Sequence, residues 1–406
     1  MSRIFLLLAL LLAFALRVHD LGSQSLWYDE AVTAQVAQQG LPELARWTAD
    51  DIQPPLYYAI TAGWVQLAGL SEWALRFPSA VYGVLMVALA WALGRRLFGR
   101  PAGELAALLA ALHPLWIYYS QEARMYTLLT ALGMAAGYAL LRVLAARHGS
   151  VGYPKTRLRW WFGFSLAAIA LLYTHYFALF LLVAFALHFL ISLLARPSLE
   201  RRRLLLEGSI ASLAILLAWL PWLPNVLRRF GEDASYWRGA LKLNEALRHI
   251  AISFSTGETV LEQQAIPLAW AVAALALLCL AALLWAAAQD RQRLLSVASS
   301  LPQRSSSIVH RSSIRFVLLY LCVPIAAILL LSYSNPKFNP RYLMLASPGL
   351  LLLLAGGLAL PWRAPFPTPN SPLTINHSPF PINHSPAPTP HSPSPTPHSP
   401  LPTPHS

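Results

Sequence analysis

Charged residues are scarce in this sequence. Lys, Arg, Asp and Glu make up only 12% of the 406 residues, about half the usual share in soluble domains. Hydrophobic residues account for 56% and the mean hydropathy is +0.50. A soluble globular class is therefore excluded, and the composition predicts a polytopic membrane protein. Its spans must be α-helical, because lipid offers no hydrogen-bonding partners to an open backbone.

Other absences narrow the functional classes. There are only two cysteines, Cys279 and Cys322, and both lie inside apolar runs, which is typical of packing residues. No Cys/His spacing of a zinc site and no glycine-rich phosphate loop occurs, so a nucleotide-hydrolysing pump is unsupported. The net charge of +13 comes largely from arginines in short loops, a positive-inside pattern rather than a nucleic-acid-binding surface.

The apolar runs predict about ten spans. The first is Ile4–Val18, although Ala13-Phe14-Ala15 also fits a signal-peptide cleavage site. Either interpretation leaves Asp29 on the far side of the membrane. The remaining spans are predicted at 77–94, 103–119, 125–142, 160–174, 176–195, 204–223, 267–287, 314–332 and 342–360.

The run at 56–70 decides the topology. If it crossed the membrane, Arg95, Arg96 and every later basic loop would lie outside, against the positive-inside rule. We therefore expect an interfacial helix there, with both termini cytoplasmic. Residues 19–76 then form a long first outer loop with juxtamembrane helices, and 224–266 forms a second outer loop.

After residue 362 the composition changes to Pro, Ser, Thr, Asn and His. Histidines recur every seven residues from His377 to His405, but the prolines in each unit forbid a helix. We expect residues 363–406 to be a disordered cytoplasmic tail, and residues 1–362 to form the transmembrane domain.

Rare acidic residues cluster in the first outer loop. Asp29 and Glu30 lie in a Trp-Tyr-Asp-Glu-Ala stretch, and carboxylates beside a span require water or a partner. One of them is a candidate general base that takes a proton from an acceptor hydroxyl or amine. The alternative is helix capping, with Asp29 as the N-cap of a helix over 31–39.

Other polar residues fall in turns on the same predicted face. Asp51 and Gln53 precede a Pro-Pro break that suits a chain re-entering the interface. Ser120 is a candidate N-cap of a helix that would start here, and the exposed backbone N–H groups of its first turn suit an anion. The further site candidates here are Glu122, Arg124, Tyr126 and His175.

Two cations lie on this face against the positive-inside trend. They are Lys337 and Arg341, between Pro336 and Tyr342. A lipid-linked phosphate explains this exception, and simple headgroup contact is the alternative.

Together these stretches resemble the GT-C type of polytopic glycosyltransferase, specifically the family 39, protein-mannosyltransferase-like group that is related to aminoarabinose transferases. The resemblance covers about residues 1–360. It is carried by WYDEA at 27–31, PPLYY at 54–58, EWALRFPSA at 72–80, GRRLFG at 94–99, SQEARMY at 120–126 and PRYL at 340–343.

The resemblance implies an inverting transferase that uses a polyprenyl-phosphate-linked sugar on the extracytoplasmic face. Asp29 would be the base, with Glu30 beside it. Arg341, Lys337, Arg124 and Tyr342 would hold the donor phosphate and lipid. Gln53 stands where these proteins often have His, which argues against proton transfer there. The acceptor would be a lipid, glycan or protein. The resemblance specifies no cofactor, and it leaves open whether basic side chains or a divalent metal ion stabilise the leaving phosphate.

Two other classes compete with this interpretation. A lipid or solute transporter would place polar residues near the middle of the bilayer and show repeated halves, neither of which is evident in the sequence. A non-catalytic scaffold subunit would need none of the carboxylates.

Overall fold

The computed structural model describes residues 2–51, 53–146, 153–232, 242–296, 311–334 and 338–362. The predicted tail at 363–406, Lys337 and part of the second outer loop lie outside these residues. The described residues form helices joined by turns and loops, with no strand among them. The predicted all-α architecture is confirmed.

Sixteen α-helices and three short 3₁₀ segments make up the described chain. The 3₁₀ segments are Leu220–Trp222, Pro340–Ala346 and Leu360–Trp362. The α-helices are α1 (Ser2–Val18), α2 (Tyr28–Ala37), α3 (Leu41–Asp50), α4 (Leu56–Ala68), α5 (Glu72–Phe98), α6 (Arg100–Leu112), α7 (Pro114–Ser120), α8 (Tyr126–Ala145), α9 (Tyr153–Leu172), α10 (Ala178–Leu194), α11 (Ser198–Trp219), α12 (Leu223–Glu232), α13 (Leu243–Thr256), α14 (Glu262–Ser296), α15 (Arg311–Ser334) and α16 (Ser347–Leu358).

Six helical segments in the described chain are long and apolar enough to cross a membrane. They are Glu72–Phe98, Tyr126–Ala145, Ser198–Arg228, Glu262–Asp290, Arg311–Tyr333 and Pro340–Leu358. A shorter apolar helix covers Ala178–Leu194. The protein is thus a multi-pass membrane protein, and the total of about ten spans stays a prediction. Helix α4, with 13 residues, is too short to span, since a bilayer needs about 20.

The predicted span at 103–119 is wrong as one helix. It divides into α6 and α7 at His113, because Pro114 has no N–H to bond the carbonyl of Ala110. The fully buried Arg17 of α1 replaces that donor. Its Nη2 donates to Ala110 O at 3.1 Å and its Nη1 to Ala111 O at 3.2 Å. A buried cation therefore satisfies the end of a broken helix.

Two clusters of buried apolar residues hold the first outer loop in place. The large one joins α1, α5, α6, α8, α10, α15 and α16. A smaller one lies beneath the first outer loop and contains Val36, Leu44, Tyr58, Leu75 and Ala123. Because Ala123 belongs to this second cluster, the turn before α8 packs directly on the loop that carries Asp29.

Candidate functional site

The first outer loop is held by one buried ion pair. Glu30 is fully buried and accepts bonds from Arg76 Nε at 2.8 Å and Nη2 at 2.7 Å. The backbone N–H of Ala123 also donates to Glu30 Oε1 at 2.8 Å. Arg76 Nη1 and Nη2 donate as well to backbone carbonyls of residues 21, 24 and 25. This bidentate pair locks the first outer loop onto α5 and the turn before α8.

Asp29 is not the N-cap that the sequence suggested. Helix α2 begins at Tyr28 with Trp27 in the cap position, so Asp29 lies in the first helical turn. Carboxylates are favourable there because the N-terminal helix dipole is positive. The helix therefore fixes the direction of the Asp29 side chain without occupying its oxygens as a cap.

Two guanidinium groups meet the Asp29 carboxylate. Arg341 Nη1 lies 3.2 Å and Arg124 Nη2 3.8 Å from Asp29 Oδ2. Arg124 is buried, and its Nη1 lies 3.3 Å from Asp29 O and 3.4 Å from the hydroxyl of Tyr58. Residues from three distant parts of the sequence thus form one charged cluster.

Arg341 sits in an aromatic cage. Its guanidinium carbon lies 5.9 Å from the Trp27 ring, 5.9 Å from Tyr126 and 5.6 Å from Tyr342. The Asn339 side chain accepts a bond from the Arg341 backbone N–H at 3.1 Å and so fixes the start of the 3₁₀ segment. Such rings attract a cation while leaving its N–H groups available for an anion.

The turn before α8 departs from the expected capping pattern. Ser120 ends α7 and donates to Trp116 O, and α8 starts only at Tyr126. Glu122 and Arg124 therefore lie in a non-helical turn. Arg124 points to Asp29, whereas Glu122 lines a cavity of about 630 Å³ together with Trp27, Arg341 and others. Asp29 itself does not line this cavity.

The Glu122 carboxyl has an unusual proton affinity. Burial raises its pKa to about 7, and the negative charge of Glu30 adds to the rise. Tyr118 and the two guanidinium groups act in the opposite direction. Its Oε2 is buried and has no hydrogen-bond partner among the described residues. A carboxyl of this kind can exchange protons near neutral pH.

His175 lies against the aromatic cage. Its ring centre is 5.5 Å from that of Tyr342 and 6.5 Å from that of Tyr126. Burial, with the charges of Arg124 and Arg341, lowers its pKa to about 3, so the ring is neutral. Because Nδ1 accepts from the Phe177 N–H at 3.1 Å, the proton lies on Nε2, which is a hydrogen-bond donor.

The remaining site candidates, Asp51 and Gln53, lie outside the charged cluster of Asp29, Arg124 and Arg341. Asp51 is the C-cap residue of α3. Its charge contributes to raising the pKa of Tyr58, although burial is the main cause. Gln53 is buried, and its Oε1 has no partner in the described part of the chain. Neither residue contacts Asp29 in a described interaction.

Sequence reasoning missed several contributors. Arg76, Tyr58 and Thr33 support Glu30 and Arg124, and Glu258 lines the cavity. Arg76 lies in the EWALRFPSA stretch at 72–80, for which the sequence predicted no functional role. A signal was present, since Arg76 is a cation close to the outer loop at the start of a long apolar helix.

The donor set does not fit a metal centre. In the described ranges no three His, Cys, Asp or Glu side chains converge, and Asp29 faces cations instead of other carboxylates. The divalent ion considered above stays a prediction, and no chemical step is derived through it.

Comparison with known proteins agrees with this architecture. A family model described as dolichyl-phosphate-mannose-protein mannosyltransferase matches residues 52–222. Compared by sequence with curated proteins, the chain has no significant match.

Two solved structures share the fold. The apo structure of ArnT from Cupriavidus metallidurans superposes with a TM-score of 0.58 and 18% identity, over 87% of this chain and 59% of that one. The second is AglB, an oligosaccharyltransferase from Archaeoglobus fulgidus in complex with an inhibitory peptide and a dolichol-phosphate. It superposes with a TM-score of 0.54 and 13% identity, over 87% of this chain and 50% of that one. The chain therefore spans 59% of the length of the ArnT chain and 50% of that of AglB. It is a polytopic membrane protein with the GT-C fold, and over residues 52–222 it is similar to the dolichyl-phosphate-mannose-protein mannosyltransferases.

Proposed function

We propose that this protein is an inverting membrane glycosyltransferase. It would move a hexose or pentose from a polyprenyl phosphate to a lipid, glycan or protein acceptor on the extracytoplasmic face. The observation that supports this proposal is the contact of one carboxylate, Asp29, with two guanidinium groups, of which that of Arg341 lies in an aromatic cage. The similarity of residues 52–222 to dolichyl-phosphate-mannose-dependent transferases points the same way, as does the dolichol-phosphate complex of AglB.

The charges suggest how the donor enters. A donor of this class is anionic only at its phosphate, which binds best to forked guanidinium groups. Arg341 and Arg124 would pair with the phosphate, and Lys337, outside the described residues, would add a third cation. This exchange of partners would free the Asp29 carboxylate for the acceptor.

The reaction then needs one base. Asp29 takes the proton of the acceptor O–H or N–H while the acceptor atom bonds to the anomeric carbon of the sugar. The bond from that carbon to the phosphate oxygen breaks, and its electron pair stays on the departing polyprenyl phosphate. Arg341 and Arg124 stabilise this developing charge, so no acid is required. A single displacement inverts the anomeric configuration.

The neighbours of Asp29 take supporting roles in this scheme. Glu30, fully buried against Arg76, holds the loop and does not contact substrate. Tyr342 and Tyr126 frame the phosphate-binding arginine. The Nε2–H of His175 is a donor for a sugar hydroxyl or the phosphate. Glu122 lies in the cavity where an acceptor would enter.

A transfer assay tests the proposal. Membranes containing the protein receive radiolabelled polyprenyl-phosphate sugar, and labelled product is measured for the wild type, Asp29→Asn and the control Asp50→Asn. Asp50 is an exposed residue that pairs with Arg228. Asp29→Asn is expected to lower turnover by at least about 100-fold, while Asp50→Asn has little effect.

Two results would contradict the proposal. Undiminished turnover in Asp29→Asn would exclude Asp29 as the base. Label that accumulates inside sealed vesicles without forming a new covalent bond would indicate a lipid or solute transporter instead.

A further inference from the structure

A second polar cavity lies at the end of the helix bundle opposite Asp29. Helices α5, α8 and α10 each begin near the candidate site and end beside this cavity. Along α8, the 16-residue separation from Tyr126 to Arg142 corresponds to about 24 Å. The cavity has a volume of about 950 Å³, which is within the range of ligand-binding pockets. None of its lining residues belongs to the site described above.

The cavity is lined by five arginines and by no acidic residue in the described part of the chain. The arginines are Arg95, Arg96, Arg142, Arg196 and Arg315. Arg95 and Arg96 are neighbours on α5, whereas the other three come from α8, from the turn before α11 and from α15. Local sequence alone therefore does not bring the five together. Like charges that share a cavity repel each other unless an anion is present.

Most of these arginines contact neutral groups. Arg142 donates to the Tyr138 hydroxyl at 3.0 Å and lies 4.5 Å from the Trp160 ring centre. Arg315 Nη2 donates to Ser192 Oγ at 2.7 Å. Arg196, which pairs with Glu200 at 2.9 Å, is the exception among the five within the described ranges. The other four guanidinium groups keep their charge uncompensated by any described carboxylate.

Buried polar atoms in the wall also lack partners. His188 is only 1% exposed, and neither ring nitrogen has a hydrogen-bond partner among the described residues. The same holds for Arg315 Nε and Trp91 Nε1. Leaving such groups unpaired costs about 1–3 kcal/mol each. Arginine and tryptophan can only donate hydrogen bonds, so the missing partner is rich in acceptor atoms.

We propose that this cavity binds a phosphate group. Phosphate offers several acceptor oxygens, and its geometry matches forked guanidinium donors. Hydroxyls of Ser192, Ser312 and Ser313 line the same space. Apolar side chains complete the wall, namely Leu97, Phe98, Leu141, Leu144 and Ile191. The phosphate is therefore that of a phospholipid headgroup or of a soluble phosphate compound, and the two sources share the same recognition chemistry.

Binding to the purified full-length protein distinguishes the sources. The thermal unfolding midpoint in detergent is measured with phosphatidylglycerol, with phosphatidylcholine and with inorganic pyrophosphate. Stabilisation by phosphatidylglycerol and not by phosphatidylcholine supports the lipid source. Stabilisation by pyrophosphate supports the soluble source. If none of the three shifts the midpoint, the proposal is overturned.

Variants locate the binding within the cavity. Arg96→Gln is expected to weaken binding of the stabilising ligand about fivefold, and Arg142→Gln combined with Arg315→Gln about 30-fold, at about 1 kcal/mol per basic residue. The control Arg201→Gln removes the same charge from an exposed position near the start of α11, outside the cavity. Arg96 has no described hydrogen bond to lose, so Arg96→Gln remains informative if the double variant fails to fold. Equal affinity of Arg96→Gln and Arg201→Gln would refute the assignment.

Discussion

Arg341 Nη1 and Asp29 Oδ2 lie 3.2 Å apart although the two residues are separated by 312 positions in the sequence. The contact links the first outer loop to the segment that precedes the last described α-helix. It neutralises a carboxylate beside a membrane span. In the proposed reaction the same cation, Arg341, binds the phosphate of the lipid-linked donor. The proposed reaction therefore depends on both residues of this ion pair.

Replacing Arg341 tests the phosphate-binding role. Arg341→Gln removes a cation that stabilises the departing phosphate, and we expect a loss of about 100- to 1,000-fold in kcat. Arg341→Lys keeps the charge but loses the planar fork, so its activity should be intermediate. Steady-state kinetics with labelled donor measure both variants.

The matched control is Arg228→Gln, which removes an exposed cation that pairs with Asp50. It should leave kcat and KM unchanged. Wild-type kinetics in Arg341→Gln would show that this arginine only neutralises Asp29.

The buried Glu30–Arg76 pair should contribute to stability and not to chemistry. Glu30→Gln leaves Arg76 buried without its anionic partner, which we expect to cost about 3–5 kcal/mol in unfolding free energy. The exposed pair of Glu43 with Arg46 gives the comparison, since Glu43→Gln should cost about 0–1 kcal/mol. Denaturant unfolding in detergent measures both.

A double-variant cycle completes this prediction. Glu30→Gln combined with Arg76→Met should be less destabilised than the sum of the single variants, because neither charge is left alone. Additive losses would mean that the two side chains do not stabilise each other.

Glu122 should make stability depend on pH. Its pKa is raised from 4.5 to about 7 in the folded state, so the folded protein binds the proton more tightly than the unfolded chain. The stability from this group is therefore fully present below pH 4.5 and falls as the pH rises to about 7. The total loss is roughly 3 kcal/mol at 1.36 kcal/mol per pKa unit.

The contribution of Glu122 is isolated by measuring the thermal unfolding midpoints of the wild type and of Glu122→Gln. The measurements run from about pH 4 to about pH 8, a range that brackets the two pKa values. The wild type should lose stability relative to Glu122→Gln as the pH rises, and the difference should level off above pH 7. Parallel curves would show that Glu122 ionises normally.

Gly83 is required by close helix packing. A Cβ atom there would lie 2.0 Å from Ser120 Oγ and 2.7 Å from Arg17 Nε. Gly83→Ala should therefore destabilise the protein by about 1–3 kcal/mol. Gly63→Ala is the control, because a Cβ at Gly63 meets no atom within 4 Å. Alanine at position 63 should stabilise α4 by about 0.5–1 kcal/mol. Equal thermal unfolding midpoints for Gly83→Ala and Gly63→Ala would contradict the close packing at Gly83.

Much of the fold could be predicted from composition and pattern. Lipid requires each spanning segment to satisfy its own backbone, so apolar runs become helices whatever their neighbours are. The short helix α4 was predicted from the distribution of arginines over the loops of the whole chain, which can be read without knowing how the helices pack. Asp29, Arg124 and Arg341 were identified because ionised groups are rare beside membrane spans.

Only the tertiary structure decided how these groups are paired. In the folded chain Arg124 pairs with Asp29 and Arg76 pairs with Glu30. Arg17 donates to the carbonyl of Ala110, which Pro114 leaves without a helical partner. The tertiary structure also brought together the arginines of the second cavity from α5, α8, α15 and the turn before α11. Periodicity shows which residues a helix can bury, but partners far apart in sequence depend on how helices pack. A long-range ion pair is a property of that packing and of no single stretch of the chain.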